Sequence, residues 1–322
     1  MRAIVHDVYG GPEVLRLESL EQPEVGEQEL LIRVHASVVN RTDCHMLRAK
    51  PFIMRFVTGM LGPNKSIPGT AFSGTVSAVG SAVSGYAPGD EVFGFSDTGV
   101  CSFADYTTLE QSRPIEKKPA GVSHAEAAAS VEGAHYGYNN VNRVKLQPGQ
   151  PVLVNGASGA VGIAIVQLLK HYGAHVTAVC NGANLQRLRS LGADAVIDYE
   201  QEDFTARAQT FDAVFDAVGK SSFAKCKPLL NPGGVYLPSE MGWLAQNFAL
   251  ALVTPWFRGR KVIFPFPLNT QRSLRVVAEL LDAGKFVGVI DRTYELEQVQ
   301  QAYRYVETGQ KTGNVVISLV AG

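Results

Sequence analysis

Three glycines at three-residue spacing, Gly156, Gly159 and Gly162, are the residues of this sequence with the clearest chemistry. They lie in residues 151–170, PVLVNGASGAVGIAIVQLLK, where an apolar run precedes them and a helix-forming run follows them. A main chain without Cβ atoms can turn tightly, let a ligand come close and let a helix pack against the preceding strand. The segment therefore predicts a strand, a turn and a helix. Ordinary turns also contain spaced glycines, so both interpretations are open at this point.

A helix that begins directly after this turn would present main-chain N–H groups to an anion. The predicted unpaired groups are those of Ser158, Gly159, Ala160 and Val161. About half a positive elementary charge accompanies a helix N-terminus. The turn is therefore predicted to bind a pyrophosphate.

Strands and helices alternate regularly after the turn. Predicted strands cover 175–180, 195–198 and 211–218, and a short helix covers 184–191. Alternation at this pitch is typical of right-handed βαβ units and a doubly wound parallel sheet. This context favours dinucleotide binding over an ordinary glycine turn.

The first 121 residues have a different pattern, with short strands and Gly/Pro turns. The predicted strands are 2–8, 14–19, 29–39, 72–79, 91–95 and 104–109. Such a pattern favours a partly open β-barrel. The apolar insertion 48–65 either packs on the barrel or forms one wall of a substrate cleft. Helices are predicted over 124–144, 272–283 and 296–307, and the closing run 314–320 is predicted to pair with the barrel.

Bulk properties limit the possible partners. The chain has 322 residues, 46% of them hydrophobic, which indicates a globular protein of two domains. A net charge of −1 gives no electrostatic reason to expect nucleic acid or an anionic membrane as partner. No apolar stretch is long enough to span a bilayer, and the first residues resemble a strand and not a signal peptide. The scattered cysteines, which predict free thiols and a cytoplasmic location, are Cys44, Cys101, Cys180 and Cys226.

With these features together, the chain resembles the medium-chain dehydrogenase/reductase superfamily, and within it the zinc-independent NADPH:quinone oxidoreductase branch. The motifs that carry the resemblance are Val38-Val39-Asn40-Arg41-Thr42-Asp43, Pro68-Gly69-Thr70-Ala71-Phe72-Ser73-Gly74, Ala87-Pro88-Gly89-Asp90, the glycine turn, Leu191-Gly192-Ala193-Asp194 and Phe215-Asp216-Ala217-Val218-Gly219. The resemblance implies a GroES-like domain over 1–121 completed by 287–322, a Rossmann domain over 122–286, and a homodimer that uses the edge strand near 261–264.

Departures from the zinc-dependent relatives bear on the chemistry. Those relatives carry a cysteine at the position of Asn40, a His-Glu pair at Thr70 and Ala71, and a further cysteine near Glu132. A catalytic zinc needs about three converging protein ligands, so no metal is expected here. Without a Lewis acid, the expected hydride acceptors are quinones and α,β-unsaturated carbonyls, which spread the incoming charge themselves.

The resemblance places three candidate catalytic residues at the presumed cleft: Asn40, Asp43 and Tyr136. Asn40 would hydrogen-bond the substrate carbonyl or the nicotinamide ribose, or else only the local backbone. For Asp43 the alternatives are a helix cap and a surface pair with His45. Tyr136 would deliver a proton, contact the nicotinamide or pack in the core.

Coenzyme choice depends on the residues after the second and third strands of the parallel sheet. Asn181 stands where NAD-specific sites place Asp or Glu, so a 2′-phosphate meets no carboxylate there. Tyr199 matches a tyrosine that contacts this phosphate in the resembled branch. The lysine expected nearby is replaced by Asn184, and Arg187 is an alternative source of charge. NADP(H) is therefore the predicted coenzyme.

Further candidate coenzyme contacts lie at the carboxyl ends of the later strands. They are Ala217, Gly219, Ser239 and, as an apolar wall, Phe264 and Phe266. The sequence thus predicts an NADPH-dependent oxidoreductase that acts on a quinone or an enone. The alternative is a non-catalytic NADPH-binding sensor or structural protein on the same scaffold.

Overall fold

A computed structural model describes residues 1–64, 66–242, 245–257 and 259–319, without the side chains of Ile53 and Val57. Lys65 at the end of the insertion, and residues 320–322 at the end of the predicted last strand and domain, lie outside the described residues. The chain forms two compact units, residues 1–132 with 270–322 (unit 1) and residues 133–269 (unit 2). The domain boundaries expected from the sequence stay a prediction.

The strands in chain order are β1 (Arg2–Val5), β2 (Arg16–Ser19), β3 (Glu29–Val39), β4 (Ala71–Val79), β5 (Glu91–Phe95), β6 (Tyr106–Glu110), β7 (Ile115–Lys117), β8 (Pro151–Asn155), β9 (His175–Cys180), β10 (Ala195–Asp198), β11 (Phe211–Asp216), β12 (Leu230–Pro238), β13 (Lys261–Val262), β14 (Ile290–Glu295) and β15 (Asn314–Ser318). The α-helices are α1 (Arg41–Arg48), α2 (Arg55–Thr58), α3 (His124–Val141), α4 (Ala160–His171), α5 (Leu185–Ser190), α6 (Phe223–Cys226), α7 (Gln246–Val253), α8 (Thr270–Asp282) and α9 (Val299–Glu307).

Unit 2 is built on a parallel sheet of order β10-β9-β8-β11-β12-β13. Its central strand β8 carries Val152, Leu153 and Val154, all fully buried, as expected of a strand covered on both faces. The order changes direction at β8, which pairs with β9 on one side and β11 on the other. This arrangement confirms the predicted doubly wound α/β fold and puts the carboxyl ends of β8 and β11 side by side.

Unit 1 contains a largely antiparallel sheet of order β14-β15-β3-β4-β5-β7, and β6 also pairs with β3. The long strand β3 carries the buried core residues Leu30, Ile32 and Val34. The last strand, β15, pairs antiparallel with β3, which confirms that the end of the chain returns to the N-terminal sheet. Strand β14, which pairs parallel with β15, was not predicted, because its residues are mostly polar and none of them is buried.

Several predicted boundaries were too long. The first strand ends at Val5 and not at Val8, β11 ends at Asp216, and the helix from His124 ends at Val141. Helix α1 and the short strand β7 were not predicted. Among the described residues, no helix combines the length and the apolar character needed to cross a bilayer.

Candidate nucleotide turn and buried polar cluster

The turn between β8 and α4 is tightly packed at its first and last glycines. Gly156 has φ +72°, and a Cβ there would lie 2.6 Å from the Cβ of Val218. A Cβ on Gly162 would overlap the carbonyl oxygen of Gly156 and lie 2.7 Å from the Cα of Ala157. Both positions therefore require glycine for packing, whatever the turn binds.

Gly159 differs from the other two glycines. It is the N-cap of α4 with an ordinary φ of −76°, and a Cβ there would meet no atom closer than 3.6 Å. Its own N–H donates to the carbonyl oxygen of Gly156 at 3.2 Å, so the prediction of an unpaired amide is wrong for Gly159. Ala160 and Val161 stand in the first turn of α4, where helical N–H groups lack intrahelical partners. The open position at Gly159 and the amides of the first turn are therefore where a pyrophosphate would be expected to bind.

A buried carboxylate orders the neighbouring loop after β11. Asp216 is fully buried. It accepts hydrogen bonds from the side chains of Asn155 and Tyr236 and from the main-chain N–H groups of Val218, Gly219 and Ser221. Sequence reasoning used Asp216 only as part of a family motif. The signal available was an acidic residue at the carboxyl end of an apolar strand.

The predicted contacts at the ends of β11 and β12 lie within this ordered region. Ala217 donates its N–H to the carbonyl oxygen of Asn155 at 3.0 Å, and Gly219 has φ +65°. Ser239 donates its N–H to the carbonyl oxygen of Asp216, while its buried Oγ has no hydrogen-bond partner among the described residues. A buried polar atom without a partner is a feature that a bound coenzyme would resolve.

The residues predicted to select the coenzyme lie beyond β9 and β10. Asn184 is buried and donates from Nδ2 to Oδ1 of Asn181 at 2.7 Å. Tyr199 is 54% exposed. Its pKa is raised by partial burial and then by the neighbouring carboxylate of Glu200. Glu200, which sequence reasoning missed, also accepts a hydrogen bond from the N–H of Gly182 at 3.3 Å.

Aromatic side chains are grouped elsewhere in unit 2. Phe264 and Phe266 lie with ring centroids 5.3 Å apart, and both also contact Phe248. The predicted apolar wall thus has a third member, Phe248, which the sequence did not single out.

Tyr136 lies on α3 beside His135, with ring centroids 5.4 Å apart.

Asn40 and Asp43 belong to a buried polar cluster in unit 1. Nδ2 of Asn40 donates to Oε2 of Glu132 at 2.8 Å and to Oδ1 of Asn314 at 3.0 Å. Thr42 donates from Oγ1 to the second carboxylate oxygen of Glu132 at 2.6 Å. Three segments far apart in the sequence thus meet at the side-chain amide of Asn40.

Asp43 stands in the first turn of α1 and is 2% exposed, so the expectation of a surface pair is wrong. Oδ2 accepts from the N–H of Asn40 at 2.9 Å, and Oδ1 accepts from Oγ1 of Thr70 at 3.1 Å. Burial, followed by repulsion from Glu132, raises the pKa of Asp43 to about 8. Burial also raises the pKa of Glu132. Burial therefore favours the protonated form of the Asp43 carboxyl at neutral pH.

The sequence resemblance predicts that Asn40, Thr70 and Glu132 correspond to metal-ligand positions of zinc-dependent relatives, and all three belong to this cluster. Asn40 offers an amide, Thr70 a hydroxyl and Glu132 a carboxylate that already accepts two hydrogen bonds. Within the part of the chain that the structure describes, no group of three or more His, Cys, Asp or Glu residues is arranged to hold a metal ion. This donor set does not fit a catalytic zinc.

Comparison with known proteins places both units in one family. Residues 26–135 match the alcohol dehydrogenase GroES-like domain, and residues 191–317 match the zinc-binding dehydrogenase family. The chain is 32% identical to a 2-methylene-furan-3-one reductase of Solanum lycopersicum and 31% identical to a chloroplastic NADPH-dependent alkenal/one oxidoreductase of Arabidopsis thaliana. Each alignment covers 98% of this chain and 79% of the relative.

A solved structure agrees with these sequence matches. The quinone oxidoreductase from Coxiella burnetii superposes with a TM-score of 0.87 at 26% identity, over 99% of each chain. The chain therefore belongs to the medium-chain dehydrogenase/reductase superfamily, in its quinone-oxidoreductase-like branch.

Proposed function

We propose that this protein is an NADPH-dependent oxidoreductase that transfers hydride to a quinone or to an α,β-unsaturated carbonyl compound. The names of its relatives support this activity, because they include a furanone reductase, an alkenal/one oxidoreductase and a quinone oxidoreductase. The observation that carries the proposal is the β8–α4 turn, whose glycines pack closely at both ends and leave open space at Gly159.

The chain's own residues would hold the coenzyme at this turn. Main-chain N–H groups of Ala160 and Val161 would bind the pyrophosphate, and Ser239 Oγ would gain a hydrogen-bond partner. Asn181 and Tyr199 would contact the 2′-phosphoribose. When bound, the reduced nicotinamide supplies the hydride.

The buried polar cluster of unit 1 would supply the proton that balances the reduction. The pKa of the Asp43 carboxyl is raised to about 8, so at neutral pH this group is mostly protonated and can donate a proton. Hydride transfer to an enone or a quinone leaves an enolate or a quinol anion, and one proton makes this product neutral. We also propose that no zinc takes part, because the side chains of Asn40, Thr70 and Glu132 are a poor set of ligands for a catalytic zinc. Tyr136 is the second candidate proton donor.

Coenzyme oxidation tests the activity directly. Purified protein is mixed with NADPH and a panel of quinones, enones and simple ketones, and absorbance at the reduced-nicotinamide band is followed. We expect turnover with quinones or enones and none with simple ketones. Turnover that needs added zinc, or stoichiometric zinc in the purified protein, would contradict the zinc-independent mechanism. Tyr136→Phe with unchanged turnover would remove Tyr136 as the acid.

The second candidate function is a coenzyme-binding sensor without turnover. One observation favours it: both N–H groups of the Asn40 amide are engaged, by Glu132 and Asn314, and so cannot donate to a substrate carbonyl. Tight NADPH binding with no oxidation by any acceptor would support this alternative. In the sensor alternative, Asn40 has only a structural role. In the oxidoreductase proposal, Asn40 positions the side chain of Glu132.

Two further features of the proposal concern assembly and location. Unit 2 exposes apolar side chains on and after α7, with Leu252, Trp256 and Phe257 at least 65% exposed. This surface supports a homodimer, which light scattering after size exclusion tests by mass. All four cysteines are free thiols, which supports a reducing compartment such as the cytoplasm. Fractionation of the source cells tests that location.

A further inference from the structure

The apolar insertion 48–65 of unit 1 exposes several large side chains to which the proposed hydride transfer assigns no role. The exposed fractions are 64% for Phe52, 70% for Phe56, 48% for Met60 and 99% for Leu61. Proteins rarely leave large apolar side chains exposed together at one place unless a partner covers them. These four residues are called the insertion patch below.

Contacts within the insertion hold the patch together. The rings of Phe52 and Phe56 meet edge to face, with centroids 6.3 Å apart. The guanidinium carbon of Arg55 lies 5.9 Å from the ring centroid of Phe52, and Nη1 of Arg55 donates to the carbonyl oxygen of Met60 at 3.2 Å. Leu61 directly follows Met60 in the chain. The four residues are therefore grouped around one cation.

Tyr9 anchors the insertion to the rest of unit 1. Its hydroxyl lies 2.8 Å from Oγ1 of Thr58 and donates to the carbonyl oxygen of Gly59 at 2.7 Å. The guanidinium carbon of Arg55 also lies 5.0 Å from the centroid of the Tyr9 ring. The insertion is thus anchored at these residues while the patch stays exposed, so packing on the barrel accounts for only part of it.

Charge identifies the kind of partner. The insertion contains four basic residues, Arg48, Lys50, Arg55 and Lys65, and no Asp or Glu. Arg48 is paired with Glu307 at 2.6 Å. Among the described residues, neither Lys50 nor Arg55 forms an ion pair. The net charge of −1 for the whole chain therefore conceals a local excess of positive charge, which favours an anionic partner.

Asp7 is an acidic residue beside the insertion. A Cβ on Gly62 would lie 3.6 Å from the main-chain oxygen of Asp7. The carboxylate of Asp7 is already paired with Arg16 at 2.6 Å. This pair is neutral as a whole, so the positive excess at the insertion remains.

A second copy of this chain is a poor partner for the patch. In a twofold dimer, the same surface lies on both sides of the interface. The cations Lys50 and Arg55 would then meet like charges, and the insertion has no carboxylate to offset them. Protein interfaces are generally depleted of lysine, which also counts against an unrelated protein.

An anionic lipid surface fits both the apolar and the basic residues. Segments that bind at a bilayer interface combine Phe or Leu side chains, which enter the boundary of headgroups and acyl chains, with Lys or Arg side chains, which attract anionic headgroups. Entry into lipid needs no matching pocket, so a side chain as exposed as Leu61 can take part.

We propose that the insertion patch docks unit 1 onto a membrane surface that contains anionic lipids. Phe52, Phe56 and Leu61 enter the outer part of the bilayer, and Lys50 and Arg55 attract the headgroups. This docking surface goes beyond the proposed oxidoreductase activity and does not depend on it.

Co-sedimentation of the full chain with vesicles, in the absence of coenzyme, tests the proposal. The vesicles contain either phosphatidylcholine alone or phosphatidylcholine with phosphatidylserine. We expect binding to the vesicles that contain phosphatidylserine, and weaker binding as the salt concentration rises, because salt screens the charges. No binding to these vesicles, or equal binding to both kinds, would overturn the proposal.

Phe56→Ser combined with Leu61→Ser tests the apolar part of the patch. Both side chains are exposed, so the unfolding midpoint should stay unchanged, while vesicle binding should weaken at least about tenfold. The matched control is Leu17→Ser combined with Leu268→Ser, at exposed leucines outside the insertion, which should bind vesicles like the wild type. Binding that survives the changes at Phe56 and Leu61 would place the lipid elsewhere and refute the patch.

Lys50→Gln separates the charge from the apolar contact. It should weaken binding to phosphatidylserine vesicles about fivefold and leave any binding to phosphatidylcholine unchanged, because it removes one cation near an anionic surface. Unchanged binding to phosphatidylserine vesicles would contradict the role of charge.

Light scattering covers the second copy as an occupant. A mass that falls from dimer to monomer in the variant at Phe56 and Leu61, with unchanged vesicle binding, would assign the patch to a dimer and overturn the proposal. Because no coenzyme is present, a negative result with vesicles leaves the oxidoreductase proposal intact, and inactivity with NADPH leaves this docking surface intact.

Discussion

The nucleotide turn of unit 2 and the buried polar cluster of unit 1 differ in the groups that they offer for hydrogen bonding. The turn uses main-chain N–H groups and glycines, so its side chains are small and its shape is set by the backbone. The cluster uses the side chains of Asn40, Glu132 and Asn314, which come from distant parts of the chain. We therefore expect added side-chain volume at a closely packed glycine to damage the turn, and loss of a hydrogen-bond partner to damage the cluster.

Gly162→Val should have the largest effect, because it adds volume to the turn. The new Cβ would overlap the carbonyl oxygen of Gly156 and crowd the Cα of Ala157, and neither backbone atom can move alone. We expect the free energy of unfolding to fall by at least about 3 kcal/mol, with NADPH binding lost as well. Urea unfolding followed by circular dichroism measures the first effect.

Gly159→Ala is the matched control in the same turn. Its Cβ would lie 3.6 Å from the nearest atom, so the stability should change by less than about 0.5 kcal/mol. The added methyl group should still weaken NADPH binding, because it stands where the pyrophosphate approaches. Equal unfolding midpoints for the two variants would show that close packing at Gly162 is not what defines the turn.

Asn40→Leu tests the opposite property, the loss of a partner in the cluster. The change keeps a similar volume and removes hydrogen bonds to a buried carboxylate and to Asn314. We expect a loss of about 2–4 kcal/mol in the free energy of unfolding, since bonds to charged groups are strong and Glu132 is left undersatisfied.

Asn231→Leu is the control for this change. Asn231 donates to Oδ1 of Asp212 at 2.8 Å, but this pair is only partly buried. The loss there should stay below about 1 kcal/mol because water replaces the missing partner. If both variants lose the same free energy of unfolding, burial does not make the hydrogen bonds of Asn40 more costly to lose than those of Asn231.

Local sequence patterns predicted the turn but not the cluster, whose residues were brought together only by the family resemblance. The apolar runs of β8 and β9 and the glycine spacing are local signals, so the strand, turn and helix could be predicted. The contacts of Asn40 with Glu132 and Asn314 span 92 and 274 residues, and nothing local announces them. Strand β14 was missed because a strand with no buried residue has no apolar period to detect.

Asp43→Asn tests the cluster through the pH dependence of the free energy of unfolding. The pKa of Asp43 in the folded protein is about 8, above its ordinary 3.8, so between these values the folded protein binds a proton that the unfolded chain has lost. The stability from this group is present below pH 4 and is lost as the pH rises toward 8.

Between pH 5 and pH 7 the wild type should lose about 2–3 kcal/mol more stability than the variant, since one differentially bound proton is worth about 1.4 kcal/mol per pH unit. Urea unfolding at the two pH values measures this difference. Glu24→Gln, at an exposed carboxylate, is the control and should follow the wild type. A variant whose stability falls with pH as steeply as that of the wild type would show that Asp43 does not hold the proton.

Glu200→Gln should have the smallest effect, since it alters one exposed charge beside Tyr199 and Gly182 and leaves the nucleotide turn unchanged. The carboxylate of Glu200 lies near Tyr199 and accepts from the N–H of Gly182, where the 2′-phosphate of NADPH is proposed to bind. Removing it should raise the ratio of kcat/KM for NADPH over NADH about threefold to fivefold, because repulsion between exposed charges is worth about 1 kcal/mol in water. The control is Glu202→Gln, at a carboxylate paired with Arg207, which should leave the ratio unchanged. A ratio that falls or stays unchanged in Glu200→Gln would show that Glu200 does not repel the 2′-phosphate of NADPH.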